Sequence, residues 1–179
     1  MTRHVIVTGP ESSGKTTLSR QLAERLGGAW VPEYPRGYLE AAGRKAVVAD
    51  FAHFAAVNDR LVAAGTRLAK ARRKARRAPR PKHAYVVQDT GAEVLRLWLA
   101  DKFGETLDEV CAAYDRQRPY LYVLCRPDLT WEYDPLREDP HRRDELFRSL
   151  RRLLDRRGCR TVEVSGFGES RLAGALACL

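Results

Sequence analysis

The chain has 179 residues, 44% of them hydrophobic, and carries a formal charge of +9. That length buries one sizeable core and leaves little room for a second, so a single domain over 1–179 is expected. No apolar run approaches the ~20 residues of a membrane span, and the first strand starts too early for a secretory signal. Cys111, Cys125, Cys159 and Cys178 are scattered with no C-x-x-C pair or zinc spacing, which points to reduced thiols in a cytoplasmic protein.

The first element expected is a short buried strand, His4-Val5-Ile6-Val7-Thr8. Directly after it comes Gly9-Pro10-Glu11-Ser12-Ser13-Gly14-Lys15-Thr16, followed by Thr17: a complete G-x-x-x-x-G-K-[ST] loop. The glycines let the backbone wrap a polyphosphate, Lys15 reaches its β- and γ-phosphates, and the Thr16 hydroxyl is placed to ligate Mg²⁺. Leu18, Leu22 and Leu26 repeat on the helix behind it, which Gly27-Gly28 closes. That helix opens at the loop, so its N-terminal dipole also faces the anion. Strand, loop and helix together predict binding of a nucleoside triphosphate, ATP, with Mg²⁺.

A second strand is expected over 29–33, ending in the proline-rich turn Val31-Pro32-Glu33-Tyr34-Pro35-Arg36. A long helix follows near 49–77, with Phe51, Phe54, Asn58, Leu61 and Leu68 at helical spacing, and Pro79 and Pro81 stopping it. Its back end is a basic arm. Of 32 basic residues in the chain, nine lie in 67–82, which leaves 23 against 23 acidic residues elsewhere. The arm reads as a solvated helix end in preference to a polyanion-binding patch, and it lacks interleaved aromatics.

Ala84–Asp89 is the third strand, 119–125 the fourth and 160–164 the fifth. Capping boxes at Thr90-x-x-Glu93 and Thr106-x-x-Glu109 are expected to open two helices between the third and fourth strands. Asp139 as N-cap and Pro140 at the first position open another, stopped by Gly158, and a short helix closes the chain from Glu169. Alternating strands and helices predict an α/β fold: a five-stranded parallel sheet with helices on both faces. The Pro- and charge-rich stretch 127–143 suggests a lid.

Ligands sit at the carboxyl ends of such strands. Asp89 closes the third strand, where an acid organises Mg²⁺, though Asp-Thr can also merely start a helix. Glu33 either orients and deprotonates a substrate hydroxyl or is a surface residue in a turn. Arg137, Arg142 and Arg143 of the lid are placed to stabilise a moving phosphoryl group, although in so arginine-rich a chain any single one is more often a bystander. Asn58 is the odd polar residue on an apolar helix face, satisfied by neighbouring backbone or by a ligand. Tyr34, Tyr38, Trp98 and Trp131 offer stacking surfaces, with Trp98 also fitting the core stripe.

Four stretches carry a family likeness: the Glu-Ser-Ser within the loop, Glu33-Tyr34-x-Arg36, Asp89-Thr90, and Pro127-Asp128-x-x-Trp131 followed by Asp134, Arg137 and Arg143. On these the chain resembles the P-loop domain of NadR-type proteins, the ribosylnicotinamide kinases often fused to a nicotinamide-nucleotide adenylyltransferase. The resemblance implies a nucleoside-kinase fold, Glu33, Tyr34 and Arg36 facing a riboside, Asp89 the metal, and 128–143 the lid. It implies transfer of the ATP γ-phosphate to nicotinamide riboside, without the adenylyltransferase partner. The chain departs from the pattern at Pro32, where the family has an aromatic residue, and at Gly91, where it has a second acid. The alternative is an ATPase or ATP-dependent regulator whose basic arm touches nucleic acid. Oligomeric state has no signature in the sequence.

Overall fold

The computed structural model describes residues 1–76, 81–136 and 139–179; Arg77, Pro79 and Arg137 lie outside the described residues. The elements run β1 (Thr2–Thr8), α1 (Lys15–Leu26), β2 (Ala29–Val31), α2 (Tyr34–Ala42), α3 (Asp50–Ala75), β3 (Ala84–Asp89), α4 (Ala92–Phe103), α5 (Asp108–Arg116), β4 (Leu121–Cys125), α6 (Arg143–Arg156), β5 (Thr161–Val164) and α7 (Glu169–Leu176). All neighbouring strands pair in parallel, in the order β2-β3-β1-β4-β5. The five expected strands and the helical crossovers are therefore all present.

Strand alternation divides the core between two faces. Val5, Val7, Val87 and Val123 pack on one side against Leu18 and Leu22 of α1 and Leu172 of α7. Ile6 and Tyr122 point the other way, against Leu154 of α6, while Val86 meets Ala69 of α3. Each fully buried leucine of α1 contributes about 1.5–3 kcal/mol through loss of apolar surface to water. The same alternation sorts the polar residues at the end of β3. Asp89 stands on the α1 side, and Gln88 on the α3 side.

Four expectations change. The turn after β2 is the nine-residue helix α2, because Pro35 sits in its first turn, where a missing N–H costs nothing. The Thr90 capping box does not form: Thr90 takes a left-handed φ of 63°, α4 begins two residues later, and Glu93 accepts from the Gly91 N–H instead. Thr106 caps nothing either, since Leu107 occupies the N-cap of α5. Finally, α6 opens at Arg143 with Arg142 at its N-cap, so Asp139 and Pro140 stay in the preceding irregular segment. The Asp139 carboxylate pairs with Lys102 at 3.5 Å instead.

The described part of the basic arm up to Ala75 is the C-terminal end of α3. Arg72 donates to the Gly28 carbonyl and Arg73 to the Pro81 carbonyl, so two of its cations are tied down beside the C-terminus of α1. That end of the sheet is opposite the phosphate loop. Among the described residues no helix is long and apolar enough to cross a membrane.

Candidate active site

The chain leaves β1 and β3 toward opposite faces of the sheet, and the loops that follow them frame a crevice at the strand ends. On one side lies the phosphate loop. Gly9 (φ 148°) and Gly14 (φ 75°) take conformations that glycine favours. A Cβ on Gly9 would stand 2.7 Å from the Cys125 carbonyl oxygen, so the loop is seated on the end of β4. Ser13 Oγ and Lys15 Nζ both donate to the Pro10 carbonyl at 2.7 Å. The latter bond curls the lysine back along the loop.

Opposite the loop, Asp89 is buried. Burial raises its carboxyl pKa, and hydrogen bonding from Thr16 together with the charge of Lys15 opposes that shift. Thr16 and Asp89 are therefore neighbours, a hydroxyl and a carboxylate of the kind a phosphate-bound Mg²⁺ takes while keeping its waters. Among the described residues no group of three or more His, Cys, Asp or Glu side chains forms a metal cage. The donor set suits a hard cation that arrives with the nucleotide.

Glu33 occupies the N-cap position of α2, its carboxylate making no cap bond, and lines the same cavity. Burial pushes its carboxyl up to about 6, with Lys15 and Arg36 opposing and Asp89 and Glu11 reinforcing the shift. Those couplings place it near Lys15 of the phosphate loop, in the lining of the same cavity. Tyr34 lines the cavity beside it and its hydroxyl pairs with His53 at 2.9 Å. Arg36 also lines the cavity, but its guanidinium is engaged by Asp134 of the lid segment and, at 2.9 Å, by Glu40.

The cavity holds about 880 Å³, and its lining is of two kinds. One is polar, between the loop, Thr16, Thr17, Glu11 and the stretch Asp128–Glu132. The other is apolar and aromatic, between Tyr34, Phe51, Phe54, Val94 and Trp98, with Asn58 as its polar member. Trp98 thus serves both core and cavity, and Lys102 lies 4.3 Å from its ring centre. Tyr38 joins the aromatic cluster behind the wall, while Trp131 packs against Tyr133 away from the cavity.

The described residues of the segment 127–143 lie over the loop. Its Glu132 N–H donates to Ser12 Oγ at 3.2 Å, and its Asp139 N–H to Glu11 at 3.3 Å. Arg143 donates to the carbonyls of Ser12 and Leu129 and stands off the cavity wall. Arg142 is bound by Asp101 and Glu145, also away from the cavity.

Two site residues escaped the sequence reading. Arg171, only 4% exposed, donates to the Ser13 carbonyl, the Gly166 carbonyl and the Asp128 carboxylate, tying the phosphate loop to α7 and to the segment after β4. No local pattern distinguished it among so many arginines. Arg171→Met should lower stability by about 2–4 kcal/mol, because it strands a partly buried carboxylate and two carbonyls. Chemical denaturation measures this, and nucleotide affinity should fall with it. Phe167, 81% exposed on the cavity rim, is the other. A large apolar side chain within Ser165-Gly166-Phe167-Gly168 was its available signal.

The two departures from the family pattern have separate explanations. Pro32 is exposed and off the cavity wall. At Gly91 a Cβ would run into Glu93 and come within 2.7 Å of Gln117 Oε1. Those atoms are the tips of flexible side chains held in the Glu93–Gln117–Tyr122 network, so a side chain at position 91 requires that network to shift.

A family model described as an AAA domain matches residues 4–171. No curated protein sequence matches. Among solved structures, the NadR protein in complex with NAD and AMP-PNP aligns with TM-score 0.75 at 22% identity, over 99% of this chain and 48% of that one. NadR in complex with NR gives 0.76 at 23%, over 99% and 50%. Thymidylate kinase from Ehrlichia chaffeensis gives 0.64 at 14%, over 98% and 96%. The chain spans about half the length of the NadR structures. At these identities the likeness is one of fold, and it bears out the NadR-like P-loop kinase architecture expected from the motifs. The family match runs from the first strand into the last helix, and the chain belongs to this AAA-domain family.

Proposed function

We propose that residues 1–179 form an ATP-dependent kinase domain that moves the γ-phosphate to a riboside hydroxyl, with nicotinamide riboside as the leading acceptor. One observation carries this: a carboxylate with pKa raised to about 6, Glu33, faces the lysine of the phosphate loop from the mouth of an aromatic chamber. A hydrolase needs no such second chamber. A kinase needs a base at the acceptor hydroxyl and a wall for the rest of the acceptor. The NadR and thymidylate kinase likenesses support the reading at the level of fold.

In this reading the loop amides and Lys15 hold the β- and γ-phosphates, and Phe167 offers a stacking face for the base of ATP. Thr16 and Asp89 would hold Mg²⁺, which would supply positive charge against the phosphates. Glu33 takes the proton from the attacking hydroxyl, while Tyr34 and Asn58 line the acceptor site. The lid, 127–143, excludes water, and its Arg143 fixes the Ser12 carbonyl and with it the loop. Arg137 of that lid is kept as a transition-state cation. A screen of ribosides as phosphoryl acceptors, with acceptor-free ATP consumption as control, tests the reading. Consumption of ATP that no riboside increases would defeat it.

Asp89→Asn should cut turnover through the metal while leaving the fold intact. Raising Mg²⁺ or supplying Mn²⁺ should partly restore it, and Thr16→Ala should shift the Mg²⁺ dependence the same way. Identical metal titrations for wild type and both variants would remove the pair from the metal site.

The regulator alternative rests on the basic arm, whose described arginines lie at the end of the sheet away from the cavity. We expect non-specific nucleic-acid binding alone, about 10⁻⁴–10⁻⁶ M at physiological salt and steeply salt-dependent. Exchanging Arg67, Lys70 and Lys74 for Gln should flatten the salt slope and leave riboside turnover unchanged. ATP turnover that rises on adding DNA or RNA would favour the regulator.

A further inference from the structure

Gln88 is fully buried at the end of β3, on the α3 side of the sheet, and none of the chemistry above uses it. Its side-chain amide meets three partners. Nε2 lies 2.9 Å from the Thr90 carbonyl and 2.8 Å from Asn58 Oδ1, and Oε1 lies 2.8 Å from His4 Nε2. The Thr90 carbonyl settles every orientation in this chain, because a carbonyl only accepts. The Gln88 atom facing it must be the nitrogen. The oxygen then faces His4, which must carry its proton on Nε2. Both Gln88 hydrogens are now assigned, one to Thr90 and one to Asn58, so the Asn58 atom that meets Gln88 must be the oxygen.

Asn58 therefore has its acceptor end occupied and its Nδ2 donors left over. It is 7% exposed, and the surface it does show belongs to the apolar chamber. The arrangement depends on the unusual backbone at Thr90. A left-handed φ of 63° at a non-glycine residue accompanies a carbonyl turned back onto Gln88, the residue two before it. Burial holds His4 neutral, its pKa lowered to about 4, so it stays a single-proton donor to Gln88 over the working range.

We propose that Gln88, anchored by the Thr90 carbonyl and His4, is a positioning residue that locks the Asn58 amide with its donors toward the acceptor. The site then takes a riboside whose planar ring carries a hydrogen-bond-accepting oxygen. The inference rests on the kinase reading and adds acceptor selectivity to it. In a chamber walled by Tyr34, Phe54 and Trp98, a fixed donor is the feature that distinguishes one flat ring from another. A freely flipping asparagine would accommodate donors and acceptors alike.

The test compares nicotinamide riboside with pyridine riboside, which lacks the carboxamide, as acceptors at saturating ATP and Mg²⁺. The wild-type chain should favour the carboxamide in kcat/KM by at least about tenfold, since a buried donor left unpaired penalises the other ring. Gln88→Leu should raise the KM for nicotinamide riboside toward that for pyridine riboside, leaving the KM for ATP unchanged. Should that variant fail to fold, Asn58→Leu decides. It keeps the volume of the asparagine but presents neither donor nor acceptor to the chamber, and should abolish the preference. Equal use of the two ribosides by the wild type, or an undiminished preference in either variant, overturns the inference while the kinase stands. Failure to phosphorylate any riboside overturns the kinase reading and the inference with it.

Discussion

Lys15→Ala should lower both ATP affinity and turnover by at least about a hundredfold while the protein stays folded, as expected for loss of a preorganised cation at a phosphate. The loop itself explains the survival of the fold. Lys15 contributes one hydrogen bond, to the Pro10 carbonyl, and Ser13 Oγ still donates to that same oxygen in its absence. The loop's shape is held independently by the seat of Gly9 on β4 and by Arg171 on Ser13. Removing the ammonium group thus subtracts charge from the phosphate site with about 1 kcal/mol of structural cost. Calorimetric titration with a non-hydrolysable ATP analogue, beside a thermal melt, separates the two effects. Wild-type affinity in the variant would sink the assignment of the phosphate site.

The parts of this molecule that were legible in the sequence are those specified locally. Strand, glycine loop and helix are consecutive in the chain, so a single motif fixed Gly9, Lys15 and Thr16 together with their surroundings. Asp89 could be placed because strand ends are where a parallel sheet binds its ligands. Helix starts were misread for a shared reason. Thr90, Thr106 and Asp139 all match N-cap chemistry, but at Thr90 and Asp139 tertiary contacts set the backbone: the Thr90 N–H donates to the Val7 carbonyl, and Asp139 meets Lys102 and Glu11. Helix α2 was hidden because Pro35 is compatible with a turn and with a first helical turn alike. Arg171 and Gln88 act through partners 158 and 30 residues distant in sequence, and no pattern within a window could have paired them.

Glu33→Gln should lower phosphoryl transfer by about 10²–10⁴-fold, the usual range for losing a general base, and spare nucleotide binding. The raised pKa gives this prediction a second signature. A base must be deprotonated, so wild-type kcat/KM for the riboside should fall as pH drops through about 6 and level off above it. The glutamine variant should lack that inflection. Stability should move in the opposite sense. A carboxyl raised from its ordinary 4.5 to about 6 holds its proton more tightly in the folded chain than in the unfolded one. The folded state therefore gains from protonation below pH 4.5 and loses that gain as pH climbs through 6. At neutral pH the wild type carries a half-buried charge that glutamine does not, so Glu33→Gln should melt at a higher temperature at pH 7.5, with the difference shrinking toward pH 4. A residue kept at a cost in stability and needed for turnover is what a positioned base looks like. If acceptor-free hydrolysis fell as far as riboside phosphorylation, Glu33 would be serving the nucleotide rather than the acceptor.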